Sequence, residues 1–90
     1  MIRSRSIKRA KQEREYAKIR KAYLFCHPNC HVRGCFDRAT EIHHMKGRIG
    51  DLLTNEEFFL PVCRAHHNYI ESHPIEAKEH GYSLTRLGND

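Results

Sequence analysis

The chain contains no tryptophan, its mean hydropathy is −0.76, and only 39% of its 90 residues are apolar. Each shortage excludes something. No stretch reaches the ~18 consecutive apolar residues that a membrane-spanning helix needs. A single small domain with so little apolar material closes too modest a core to be comfortable without a staple. No apolar leader is expected from an opening of Met1-Ile2-Arg3-Ser4-Arg5-Ser6. The four cysteines therefore read as reduced thiols of a cytoplasmic protein, available to a metal, rather than as secretory disulfides. No internal repeat or low-complexity segment is visible.

Acidic residues are scarce at one end. Residues 1–22 carry nine Lys or Arg against Glu13 and Glu15, a net of +7, whereas the rest carry seven basic and nine acidic groups, a net of −2. An arm so charged suits a polyanion through phosphate contacts and counterion release, with Lys8, Arg9, Lys11 and Arg14 as candidates. A solvated basic helix or a disordered tail explains the same charge equally well.

What is abundant is histidine and cysteine in two groups. Thr40-Glu41-Ile42-His43-His44-Met45 is a short β-type run ending in a histidine pair, with Cys30 and Cys35 before it. A second pair, His66-His67, follows Cys63. Cys30-x4-Cys35 and Cys63-x2-His66 have the spacing of two knuckles, each lending two ligands to one tetrahedral zinc, a site whose binding energy is folding energy. Cys26, at a helix end, reads as a free, packed thiol. The second group is His43, His44 and His67. Two of these imidazoles can hold a divalent ion while the third takes a proton from water, a combination that fits phosphodiester hydrolysis.

Helix formers with apolar residues at helical spacing predict one helix from Ser6 to about Leu24, stopped by Pro28, with its later turns docked on the metal-bearing core. Residues 27–38 predict a knuckle, and Ala39–His44 a strand. Lys46-Gly47-Arg48-Ile49-Gly50 predicts a basic loop that continues to Glu57, with Leu52 and Leu53 folded back onto the core. Phe58–Val62 predicts a second strand, with Pro61 suited to an edge. A helix follows from Arg64 to Ser72, in which consecutive residues turn by about 100°, so His66 and His67 face different sites. Pro74 starts a last short helix to about His80, capped by Gly81, and residues 82–90 are expected to be loosely held.

Glu41-Ile42-His43-His44, a basic loop, then Leu60-Pro61-Val62-Cys63-Arg64-Ala65-His66-His67 resembles the HNH nucleases, also called ββα-metal or His-Me finger enzymes. The whole chain is similar to the small HNH proteins of bacteriophages and prophages, down to Lys8–Gln12 leading to Tyr16, the Gly47-Arg48 loop and Ile70–Pro74. The resemblance implies an α+β fold: a small zinc-stapled ββα-metal core over residues 25–82, a long basic N-terminal helix over 1–24, a short C-terminal helix, and a tail over 83–90. It implies a phage-encoded, metal-dependent DNA endonuclease that leaves a 5′ phosphate; nothing in the chain resembles a base-reading module, so its sequence specificity is expected to be low. His44 would be the general base. His43 and His67 would hold the catalytic ion, most commonly magnesium or manganese, with nickel or zinc also accepted. It further implies DNA as partner, an association with terminase subunits in genome packaging, and no membrane.

Three departures qualify the likeness. Phe58 stands where the family has the Asn that holds the base-bearing loop, which passes that role to Asn55 or to another contact. His66 replaces the second Cys of the usual zinc knuckle. Glu71 replaces a further His four residues after His67; it shares the helical face of His67, and a carboxylate there favours a hard cation, although a solvent-facing helix carboxylate explains it equally well. Lys46, Arg48 and Arg64 are candidates for holding the scissile phosphates, ordinary surface charge being the stronger reading for Arg64. The rival from another class is a non-catalytic zinc-stapled DNA- or protein-binding module, which has no reason to keep His44.

Overall fold

A computed structural model describes residues 7–85. The chain is α+β. Helix α1 spans Ile7–Cys26, strands β1 and β2 span Glu41–His44 and Phe59–Val62, and helices α2 and α3 span Arg64–Ser72 and Pro74–Glu79. Short 3-10 turns at Gly50–Leu53 and Glu56–Phe58 occupy the stretch expected to be plain loop. The expected start of α1 at Ser6 and the tail beyond residue 85 lie outside the described residues. Among the described residues no helix is long and apolar enough to cross a membrane.

The sheet is a single antiparallel pair in which Glu41 faces Val62, Ile42 faces Pro61, His43 faces Leu60 and His44 faces Phe59. Alternation puts Ile42 and His44 on one face with Phe59 and Pro61, and Glu41 and His43 on the other with Leu60 and Val62. Both faces are covered, which explains why three of the four β1 residues are buried. Tyr16 and Tyr23 of α1 lie edge-on to Phe59, with centroids 6.1 and 5.1 Å away. Arg20 donates to the Thr40 carbonyl at 2.9 Å, and Gln12 donates to Asp51 at 3.0 Å. The other face meets α2 and α3 in a cluster of Cys30, Val62, Cys63, Ile70 and Ala77, with Tyr82 packed against it.

Several boundaries differ from expectation for identifiable reasons. The first strand is shorter than 39–44, although Thr40 still donates to Val62. Helix α1 runs to Cys26, two residues past Leu24, and no residue of it is buried. Its end points outward, so Cys26 is exposed rather than packed. Residues 82–84 are not loose: after α3, Gly81 takes a φ of 80°, open to glycine at little cost, and turns the chain back. Tyr82 and Ser83 then donate to the Ala77 carbonyl, and Leu84 donates to Met45 at 2.7 Å. The turn straps the chain across the end of β1.

Candidate metal centres

The first centre is built by two backbone devices. Residues 28–39 close a knuckle through the Asn29–Arg38 bridge and the bond from Cys30 N–H to the Asp37 carbonyl. Within it Gly34, at φ 83°, turns the chain so that the Cys35 amide donates to Val32. Cys63 caps α2, its sulfur accepting from the His66 amide at 3.4 Å. These devices bring one donor atom from each of Cys30, Cys35, Cys63 and His66 within 4.8 Å of one another. His66 Nδ1 lies 3.3 Å from Cys63 Sγ and 3.8 Å from Cys30 Sγ. Sulfur and nitrogen donors around one tetrahedral ion, at about 2.3 and 2.0 Å from it, stand about 3.6 Å apart. The observed separations bracket that value, so the cluster could hold a metal ion. Its electrostatics agree. The Asp37 amide pulls the Cys35 thiol down, but burial and the neighbouring Cys30 and Cys63 sulfurs push it up to about 11, and a cation would offset the crowding.

The second centre lies at the other end of α2's first turn. His43 Nδ1 and His67 Nε2 each approach Glu71 Oε2 to 3.5 Å, and the three ligand atoms all fall within 4.8 Å of one another. Nitrogen and oxygen donors at about 2.0–2.2 Å from a shared ion would stand about 3–3.5 Å apart, so this set also fits an ion. Glu71 is 65% exposed and opens the centre to solvent.

Sequence reasoning missed what holds these ligands. His67 Nδ1 donates to Glu41 Oε1 at 2.7 Å, and Glu41 Oε2 takes Arg64 Nε at 2.9 Å. The hydrogen bond from His67, then Arg64, keeps the Glu41 carboxyl below its ordinary range and hence ionised. On His43 the outer nitrogen, Nε2, lies 3.0 Å from Ser83 Oγ. Each imidazole thus has its far nitrogen tethered and its near nitrogen turned to the centre, as metal-binding histidines generally do. One signal for Glu41 was legible: two residues before His43, it shares that residue's strand face. Ser83, forty residues away in sequence, carried none.

Removing such an outer partner typically weakens metal binding ten- to a hundredfold. We expect Glu41→Ala to loosen the second centre by about that factor in calorimetric titration of manganese, while the Cys30–His66 cluster keeps its ion. Equal affinity in the mutant would mean that His67 orients without help.

His44 does not join the ligand set. Its ring packs between Tyr16 and Phe59, with centroids 5.2 and 5.0 Å away, and Nε2 donates to the Leu53 carbonyl at 3.1 Å. Leu53 is itself fully buried, as the sequence suggested, so that carbonyl is rigidly placed. Burial drives the His44 pKa down to about 4, with Arg48, His43 and His67 adding to the shift. The ring is therefore neutral near pH 7, with Nδ1 as its free acceptor.

The Asn55 side chain is used within its own turn. It accepts from the Glu57 amide and shapes the turn before β2. The Phe58 ring instead lies 4.5 Å from Lys46 Nζ. Arg48 sits over the Tyr16 ring at 5.3 Å and lines a groove with His44, His67 and Glu71. Arg64 is committed to Glu41 and lines neither that groove nor the neighbouring one beside Lys46. Lys8, Lys11 and Arg14 are exposed on α1, and Arg9 pairs with Glu13 one turn on, at 3.6 Å. His31, His73 and His80 lie at the surface, and His27 is half-buried, stacked on Tyr23. No protein-family profile, curated protein or solved structure matches the chain.

Proposed function

We propose that the chain is a metal-dependent endonuclease of the HNH type, with a ββα-metal core, which hydrolyses DNA phosphodiester bonds. The observation carrying this reading is the convergence of His43, His67 and Glu71 beside a buried, neutral histidine that is not one of them. A binding module needs a stapled fold and positive charge. It has no use for a proton acceptor held against a backbone carbonyl at the edge of an open ion site.

Cys30, Cys35, Cys63 and His66 would hold zinc and staple the knuckle to α2. His43, His67 and Glu71 would hold the second ion, for which a carboxylate donor favours magnesium or manganese. When bound, that ion supplies Lewis acidity to the phosphate and to the departing oxygen. The chain's own groups do the rest. The Leu53 carbonyl fixes the tautomer of His44, whose Nδ1 takes a proton from water as the water oxygen attacks phosphorus. The phosphorus–O3′ bond then breaks, its electron pair goes to O3′, and a proton from solvent water converts that alkoxide to the 3′ hydroxyl, leaving a 5′ phosphate. Arg48, steadied over Tyr16, is placed to hold a phosphate in the same groove.

Relaxation of supercoiled plasmid by zinc-loaded protein tests the reading, with magnesium, manganese, nickel or further zinc added in turn. Cleavage is expected with at least magnesium or manganese. Protein that keeps its zinc and binds DNA but cuts with none of the four ions would be a binding module. The acid side is informative too. A histidine titrating at its ordinary value would be only roughly a quarter neutral at pH 6, whereas His44, lowered to about 4, stays almost wholly neutral. At saturating ion, the cleavage rate at pH 6 should therefore exceed half of its value at pH 7.5. A decline centred near 6.5 would contradict the buried base.

A further inference from the structure

Two grooves meet at the second metal centre, and both are lined by His44, Gly47 and Glu71. One carries Arg48 and His67. The other, of about 470 Å³, runs between the turn after β1 and the strap after α3, and carries Lys46, Lys78 and Ser83. Taking the first groove as the seat of the scissile phosphate, which rests on the nuclease reading above, we propose that the second seats the neighbouring backbone phosphate of the same DNA strand, held by Lys78 and Lys46.

The charge in this second groove supports a polyanion. Among the described residues, Glu71 is the only carboxylate lining it, and it belongs to the second centre's donor set; Lys46 and Lys78 are the only lysine or arginine side chains there. Both are positioned by the fold. Lys46 is drawn to the rim by the Phe58 ring, 4.5 Å from its nitrogen, so the residue standing in place of the family Asn anchors a cation instead. Lys78 follows Ala77, the residue that fixes α3 to the core and whose carbonyl receives the two amides of the returning strap. The strap's bond from Leu84 to Met45 closes the far wall. With Arg48 on one side of the metal centre and the lysine pair on the other, a strand can be gripped on both sides of the scissile bond. Contacts of this kind fix register and carry no base information.

Lys78 alone tests the seat, since it is exposed and belongs to no ligand set. Binding of a fluorescent duplex of about 20 base pairs is measured by anisotropy on the full zinc-loaded chain without a second divalent ion, between ~50 and ~200 mM salt. Lys78→Gln should weaken binding about fivefold to tenfold and reduce the slope of log affinity against log salt by about 0.9, the share of one phosphate. Lys78→Arg should restore both. Arg38→Gln, exposed on the knuckle and lining neither groove, should change affinity less than twofold. Unaltered affinity and slope in Lys78→Gln would overturn the seat and leave the nuclease reading standing if the wild type cuts plasmid. A wild type that cuts nothing, yet loses binding with Lys78→Gln, would keep the seat and remove the nuclease.

Discussion

On the nuclease reading, His44→Ala is expected to lower plasmid cleavage by about a thousandfold, the middle of the range for removing a general base. The substitution also leaves a void beside Tyr16 and Phe59 and an unpaired Leu53 carbonyl, so some stability goes with it. His44→Gln separates the two effects, because its amide can still donate to that carbonyl while offering no basic nitrogen. Both variants should fall to the same residual rate, with zinc content intact and the Gln variant melting nearer to wild type. Cleavage within tenfold of wild type in the Gln variant would strip His44 of its role.

Cys63→Ser should leave the chain without a cooperative melting transition. Cys63 is at once a donor to the first centre, the N-cap of α2 and a member of the buried cluster. Serine can still cap α2 through its hydroxyl oxygen, so what is lost is the sulfur donor and with it the hold on an ion. A domain of this size is stable by only about 5–10 kcal/mol, and a structural zinc contributes roughly 10–16 kcal/mol of apparent binding energy. The second quantity exceeds the first, so the metal-free chain is expected to unfold. Circular dichroism of the mutant, and of wild type in excess chelator, should show the same loss of helix. A sharp transition in either would mean that the hydrophobic cluster holds without its staple.

How much of this was legible in the sequence depended on how local each cause is. Pro74 at the first turn of α3 and Gly81 after its end mark that helix because both act through their own backbone. The spacing of Cys30, Cys35, Cys63 and His66 fixed the first cluster because each knuckle is a short loop with its own hydrogen bonds. Turning by 100° per residue separated His66 from His67, and the two do serve different clusters. The unreadable parts are all long-range or backbone-made. The partner of His44 is a carbonyl, which no side-chain motif encodes. Ser83 reaches His43 only because Gly81 folds the strap back. Cys26 is exposed rather than packed because α1 docks through Tyr16, Arg20 and Tyr23, polar-tipped residues that leave its final turn facing water.

One feature of α2 constrains how this chain can vary. A single peptide bond separates a donor of one cluster from a donor of the other, at His66 and His67. Insertion of one residue between them would swing His67 by about 100° and lift it about 1.5 Å along the axis, taking it off the Glu41 tether. Deletion just after Cys63 would shift both rings together. Loops elsewhere can lengthen or shorten with little penalty, but this turn has no slack. It acts as the ruler of the molecule, and a frame-preserving indel there should be the least tolerated change in the chain.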